Sequence, residues 1–110
     1  GDARSEIVVR VRQVVGDVTR EILLVYQFTP IGFPALLTRE VARSQGASRI
    51  ENEVRVERGT LEIRPGRAVG WSASTWPFAE GTTDGIAAVL LPWRDGAVRY
   101  RYRSGRLVTE

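Results

Sequence analysis

The stretch 51–66, ENEVRVERGTLEIRPG, admits very few folded arrangements. Apolar and charged residues alternate on both sides of Arg58-Gly59, which is the period of a strand and not of a helix. With Arg58-Gly59 as a two-residue turn, Glu57 faces Thr60, Val56 faces Leu61, Arg55 faces Glu62, Val54 faces Ile63 and Glu53 faces Arg64. Apolar residues then meet apolar ones on one face, and two opposite-charge pairs form on the other. A slip of one residue would break every pairing together, so the register is strongly specified.

The C-terminal sequence DGAVRYRYRSGRLVTE yields to the same treatment. A turn at Asp95-Gly96 sets Trp93 against Val98, Leu91 against Tyr100 and Val89 against Tyr102. A second turn at Ser104-Gly105 sets Tyr102 against Leu107 and Arg103 against Arg106. In this three-strand meander Val89, Leu91, Trp93, Val98, Tyr100, Tyr102 and Leu107 share the core face, and Arg99, Arg101 and Arg103 project from the other. The Arg103–Arg106 pair is a like-charge contact, unfavourable unless water or an anion separates it. The segment IAAVLLPW (86–93) is apolar on both faces, as a central strand would be, and AVGWSASTW (68–76) reads as a further strand.

The N-terminal half follows a different period. In 5–28, Ile7, Val11, Val14, Val18, Ile22 and Val25 recur at spacings of three and four, one stripe of a long helix. The alternative is a hairpin turning at Gly16-Asp17, with Ile7, Val9 and Val11 alternating before it and β-branched residues dense throughout. TPIGFP (29–34) reads as a loop, and PALLTREVARSQG (34–46) as a short helix with Pro34 at its start, Leu36, Leu37 and Val41 on one side and Gly46 as its C-cap. The fold class expected from these elements is α+β: a single domain over 1–110, with a long N-terminal helix packed on an antiparallel sheet that ends in the meander.

Chemistry is sparsely provided. The chain has no cysteine and no histidine, which removes thiolates, disulfides and the commonest general base. Ser72, Ser74 and Thr75 therefore lack a histidine to activate them. Glu53, Glu57 and Glu62 lie on the exposed hairpin face beside arginines and read as structural. GRAVG has neither the lysine nor the spacing of a phosphate loop, and EGTTDG, with Glu80 and Asp84, lacks the spaced carboxylates of a calcium loop. No catalytic, cofactor-binding or metal-binding residue is assigned, and the chain reads as a non-enzyme. Trp71, Trp76, Pro77 and Phe78 form an apolar group that serves as a lid over the core or as an interface.

What remains is charge. All sixteen basic residues are arginine. Residues 1–93 hold eleven arginines and eleven acids, whereas 94–110 hold five arginines against Asp95 and Glu110, so the whole net charge of +3 lies in that last segment. Arg99, Arg101, Arg103 and Arg106 are the candidate partner-binding residues, suited to an acidic protein or to phosphates. Because the pleat turns Tyr100 and Tyr102 away from them, the row lacks the stacking surface of a nucleic-acid platform.

A leading amphipathic helix, a variable middle and a closing antiparallel meander, with VRYRYRSGRLV (98–108) and VRQVVGDVTREI, resemble the soluble domain of type IV pilin-like proteins, the minor pilins and minor pseudopilins of pili, competence and type II secretion systems. The resemblance implies a non-catalytic filament subunit that contacts other pilin-like subunits. It implies an inner-membrane anchor through an apolar half-helix upstream of residue 1, and a periplasmic or cell-surface location for this domain. No stretch of the chain itself reaches the roughly 18 apolar residues of a membrane span, and the missing methionine fits a chain processed or cut from a longer protein. In a DNA-uptake pilus the arginine row would meet DNA. The alternative is a freestanding α+β domain that binds a ligand between helix and sheet, or nucleic acid on its basic sheet face.

Overall fold

The computed structural model describes residues 5–32, 34–57, 59–78, 86–103 and 106–110. They contain no helix. Seven strands, β1 (Ser5–Val15), β2 (Val18–Phe28), β3 (Ala35–Gln45), β4 (Ser48–Glu57), β5 (Thr60–Val69), β6 (Val98–Arg103) and β7 (Arg106–Thr109), form one antiparallel sheet in which each pairs with the next. The fold is all-β, which overturns the α+β expectation.

The expected long helix over 5–28 is the β1–β2 hairpin. Its ladder runs from Ser5↔Phe28 to Val15↔Val18, closed by Gly16 and Asp17 with Gly16 at φ +62°. Such a two-residue turn calls for positive φ, which glycine adopts without a Cβ clash. The dense valines and isoleucines lose more rotamer freedom in a helix than in a pleat, where they pack well, and that decides against the helical stripe. The expected helix over 34–46 is likewise a strand, β3, and Gly46 at φ +59° belongs to the turn between Gln45 and Ser48. Left-handed glycine ends a helix and turns a hairpin equally well, so Gly46 could not separate the two.

The hairpin 51–66 has the expected register at all five pairs from Glu57↔Thr60 to Glu53↔Arg64. The last two strands also pair as expected, Tyr102 with Leu107 and Arg103 with Arg106. What precedes them differs. Tyr100 stands beside Leu61 and Val98 beside Ile63, so β6 pairs with β5 and not with 86–93. The segment 86–91 is not a strand of the sheet, and beyond Val69 the expected strand over 68–76 gives way to turns.

The position of 86–91 explains both corrections. β3 and β4 pair only next to their turn, from Ala42↔Glu51 to Gln45↔Ser48, and part above it. The apolar segment 86–91 lies in the opening. Ala87 bridges Arg39 in parallel, and the Glu40 N–H donates to the Ala87 carbonyl at 2.9 Å. Leu90 turns into one core with Leu23, Val25, Val41, Leu61, Ile63 and Tyr100. Val89 and Leu91 turn into a second core with Ile50, beneath Trp71, Trp76 and Trp93. A segment apolar on both faces is thus buried on both faces, as its composition demands, but between two parting strands.

Unpaired backbone in such a place is costly unless side chains satisfy it. Two buried polar residues do so. Asn52, 2% exposed, accepts from Leu90 N at 2.9 Å and donates to Leu90 O at 2.9 Å and Pro65 O at 2.7 Å. It sits where the β4–β5 register shifts between Glu51 and Glu53. Across from it Pro65 lacks an N–H to lose, and Gly66 at φ +69° leaves space where a Cβ would lie 2.0 Å from the Glu51 carbonyl oxygen. Glu40, wholly buried, accepts from Val89 N at 2.9 Å, from Arg43 Nε at 2.8 Å and Nη2 at 2.6 Å, and from Arg20 Nε at 2.6 Å.

Replacing Glu40 by glutamine keeps the shape but removes the charge between two guanidinium groups that are themselves only 15% and 12% exposed. Breaking a buried ion pair of this kind costs about 3–5 kcal/mol. Glu40→Gln is therefore expected to lower the urea-unfolding free energy by that amount, and a change within about 0.5 kcal/mol would place the network outside the folding core.

Candidate interaction surfaces

The four arginines singled out from the sequence stand on β6 and β7, where strand alternation sends Tyr100 inward and Arg99, Arg101 and Arg103 outward. Tyr100 is 8% exposed, and its hydroxyl accepts from Arg39 Nη1 at 3.3 Å. The Tyr102 hydroxyl accepts from Gln27 Nε2 at 2.6 Å. Both rings are therefore committed to the interior side of the sheet.

The arginines are not a uniform positive row. Arg99 Nε donates to Glu62 at 2.8 Å and Arg101 Nε pairs with Glu110 at 2.7 Å. Glu62 also accepts from Arg64 Nε at 2.8 Å, so the outward face of β4–β6 carries a ladder of alternating charges. Arg103 and Arg106 face each other at the end of the β6–β7 hairpin, and no ion pair among the described residues includes either. The turn residues Ser104 and Gly105 lie outside the described residues, as do Glu80 and Asp84 of the calcium-loop candidate.

Trp71, Trp76, Phe78 and Trp93 meet edge to face, with ring centroids between 4.9 and 5.7 Å apart. The Arg43 guanidinium lies 4.5 Å from the Phe78 centroid and 5.5 Å from that of Trp76 while it grips Glu40. This group covers the second core and anchors its charged layer, and all its rings keep some exposure. Ser72, Ser74 and Thr75 bond to one another at 3.1–3.2 Å, with no base against them among the described residues. Among the described residues no three acidic side chains gather as a metal site. A small apolar cavity of about 60 Å³ opens between Val8, Val25, Leu61, Tyr102 and Leu107, with room for a water or a methyl group.

The feature that the sequence reading did not anticipate is the exposed edge of β1, a strand it held only as the alternative to a helix. β1 is an eleven-residue edge strand, and Ile7, Val8, Val9, Val11, Val14 and Val15 are each between 37% and 65% exposed. The alternation of Ile7, Val9 and Val11 was its visible signal, masked by the helical spacing. Edge strands are ordinarily short, bulged or guarded by lysine and proline; β1 is long, has no bulge in its register with β2, and contains neither residue. β7, the other edge, has four residues.

No family model, no curated protein and no solved structure matches this chain.

Glu62 provides a pH test of the charge ladder. Its burial opposes ionisation, but the hydrogen bonds and charges of Arg64 and Arg99 outweigh it and hold the carboxyl below its ordinary value. A depressed carboxyl stabilises the fold fully above the unfolded-state pKa of about 4.3 and ceases to do so as pH falls through the folded-state value. The melting temperature of Glu62→Gln should therefore lie below wild type at neutral pH, and the gap should close below about pH 4. A gap independent of pH would show that charge on Glu62 contributes nothing.

Proposed function

We propose that this domain is a non-catalytic assembly unit that works through protein–protein contacts, and that the open edge of β1 is its contact element. One observation carries this reading: nine consecutive residues of β1, Ile7–Val15, are exposed along a strand edge that no other strand pairs among the described residues. An edge of this kind holds a row of free N–H and C=O groups that another strand can take up, with affinity from the main chain and selectivity from alternate side chains.

The non-enzymatic role expected from the pilin resemblance agrees with this proposal, but its means of assembly changes. A filament core of long helices has no counterpart in 5–28, which is a hairpin, so strand addition takes the place of helix packing. The basic face is the weaker candidate. Arg99 and Arg101 are matched by carboxylates and the tyrosines turn inward, which leaves Arg103 and Arg106 as a small site for an acidic partner.

Sedimentation velocity over a concentration series tests the proposal. The 1–110 chain should associate as concentration rises, and Val11→Lys should shift it to monomer with an unchanged far-ultraviolet circular dichroism spectrum. A second variant, Arg10→Pro, removes an edge N–H without touching the apolar row and should act in the same direction. A wild-type chain that stays monomeric to millimolar concentration overturns the reading.

A further inference from the structure

The pattern of β1 specifies what pairs with it. Val15↔Val18 closes a two-residue turn, and the closing pair of such a turn exchanges both backbone hydrogen bonds. Bonded pairs then alternate, so odd-numbered residues of β1 direct their N–H and C=O groups to β2. Even-numbered residues direct theirs to the open edge. An antiparallel partner of the same sequence must therefore set even residues opposite even ones, and its two-fold axis passes through a residue.

Charge selects which residue. An axis at Arg10 sets that arginine against its own copy, an axis at Val11 sets Arg10 against Arg12 twice, and an axis at Arg12 repeats the first fault. Like charges directly opposite destabilise a strand pair. An axis at Val9 sets no arginine against another: Glu6 stands opposite Arg12, Ile7 opposite Val11, Val8 opposite Arg10 and Val9 opposite itself. An axis at Val8 also keeps the arginines apart, but ends the ladder at Ser5↔Val11, whereas the Val9 axis continues it to Ser5↔Gln13.

Length selects the occupant. Pairing β1 with β7 of another copy would match eleven residues with four and leave most of the edge open. Pairing β1 with itself takes up the edge on both copies in one closed, isologous contact.

We propose that two copies of this chain join β1 to β1 antiparallel about a two-fold axis at Val9, fusing their sheets into one. The proposal rests on the open-edge reading above and adds the partner and the register. On one face Ile7, Val9 and Val11 of both copies form a continuous aliphatic row, all now 37–42% exposed. On the other, Arg10 of each copy stands opposite Val8 of its partner, so no two arginines face each other.

The chain contains no cysteine, so a single introduced thiol reports the register directly. In the proposed pair Val9 meets its copy at a non-bonded position with Cα atoms about 4.5 Å apart, within disulfide range. Val14 lies five residues from the axis, which separates its two copies by about 34 Å. Under mild oxidation Val9→Cys should convert to covalent dimer on a non-reducing gel, and Val14→Cys should not. A mixture of Ile7→Cys and Val11→Cys should cross-link more fully than either alone. Cross-linking of Val14→Cys as fast as Val9→Cys overturns the register. So does association of wild type without cross-linking of Val9→Cys, and in both cases the open-edge reading stands. Growth beyond a dimer by light scattering overturns the closed two-fold pairing, and the absence of any association overturns both.

Discussion

The fold depends on a single carboxylate. Glu40 has no contact with water, and it binds an arginine from β2, an arginine three residues along its own strand and the backbone of the segment that crosses between β3 and β4. An isolated buried carboxylate is prohibitively costly, so its presence obliges the sequence to supply Arg20 and Arg43. Arg43 does so with a two-point grip and at the same time lies against Phe78 and Trp76. Lysine, with one compact charge and no planar face, could not do both.

From that constraint the rest of the architecture follows. An antiparallel sheet of seven strands in sequence order has no topological reason to form two cores. It does so because β3 and β4 separate after four residue pairs, and a separated pair of strands needs something between them. The inserted segment is apolar enough to be buried and brings bare peptide groups with it. Glu40 on one side and Asn52 on the other act as substitutes for strand neighbours. The bulge at Pro65-Gly66 supplies the geometry that lets Asn52 reach both Leu90 and Pro65.

How much of this was legible in the sequence depends on the range of the interactions involved. The hairpin 51–66 and the β6–β7 pairing were readable because turn and register are encoded within a few residues. The inward tyrosines and outward arginines of β6 followed from the pleat alone. The N-terminal half was misread because its valines and isoleucines satisfy a helical stripe as well as an alternation, and only Gly16 and β-branching separate them. Segment 86–93 reads as a central strand but is none; Val89, Leu90 and Leu91 within it are buried all the same, since periodicity reports burial and not partners. Glu40 gave no local signal: a glutamate between Arg39 and Val41 looks like a solvated residue until Arg20 and Val89 arrive from 20 and 49 positions away.

The same distinction between local and distant determinants applies to the edge of β1. Arg10 and Arg12 look like the charged guards that keep edge strands apart, and both share the face of Leu23 and Glu21 across β2. A guard, however, repels a copy only in registers that bring it near another positive charge. Two arginines two residues apart forbid axes at Arg10, Val11 and Arg12, and leave the strand free towards its N-terminal half. Guarding against every register would take a lysine or proline among Ile7, Val8 and Val9, and none is there. In the proposed pairing the two arginines therefore narrow the choice of register instead of preventing contact, and a continuous aliphatic row on the reverse face supplies the attraction.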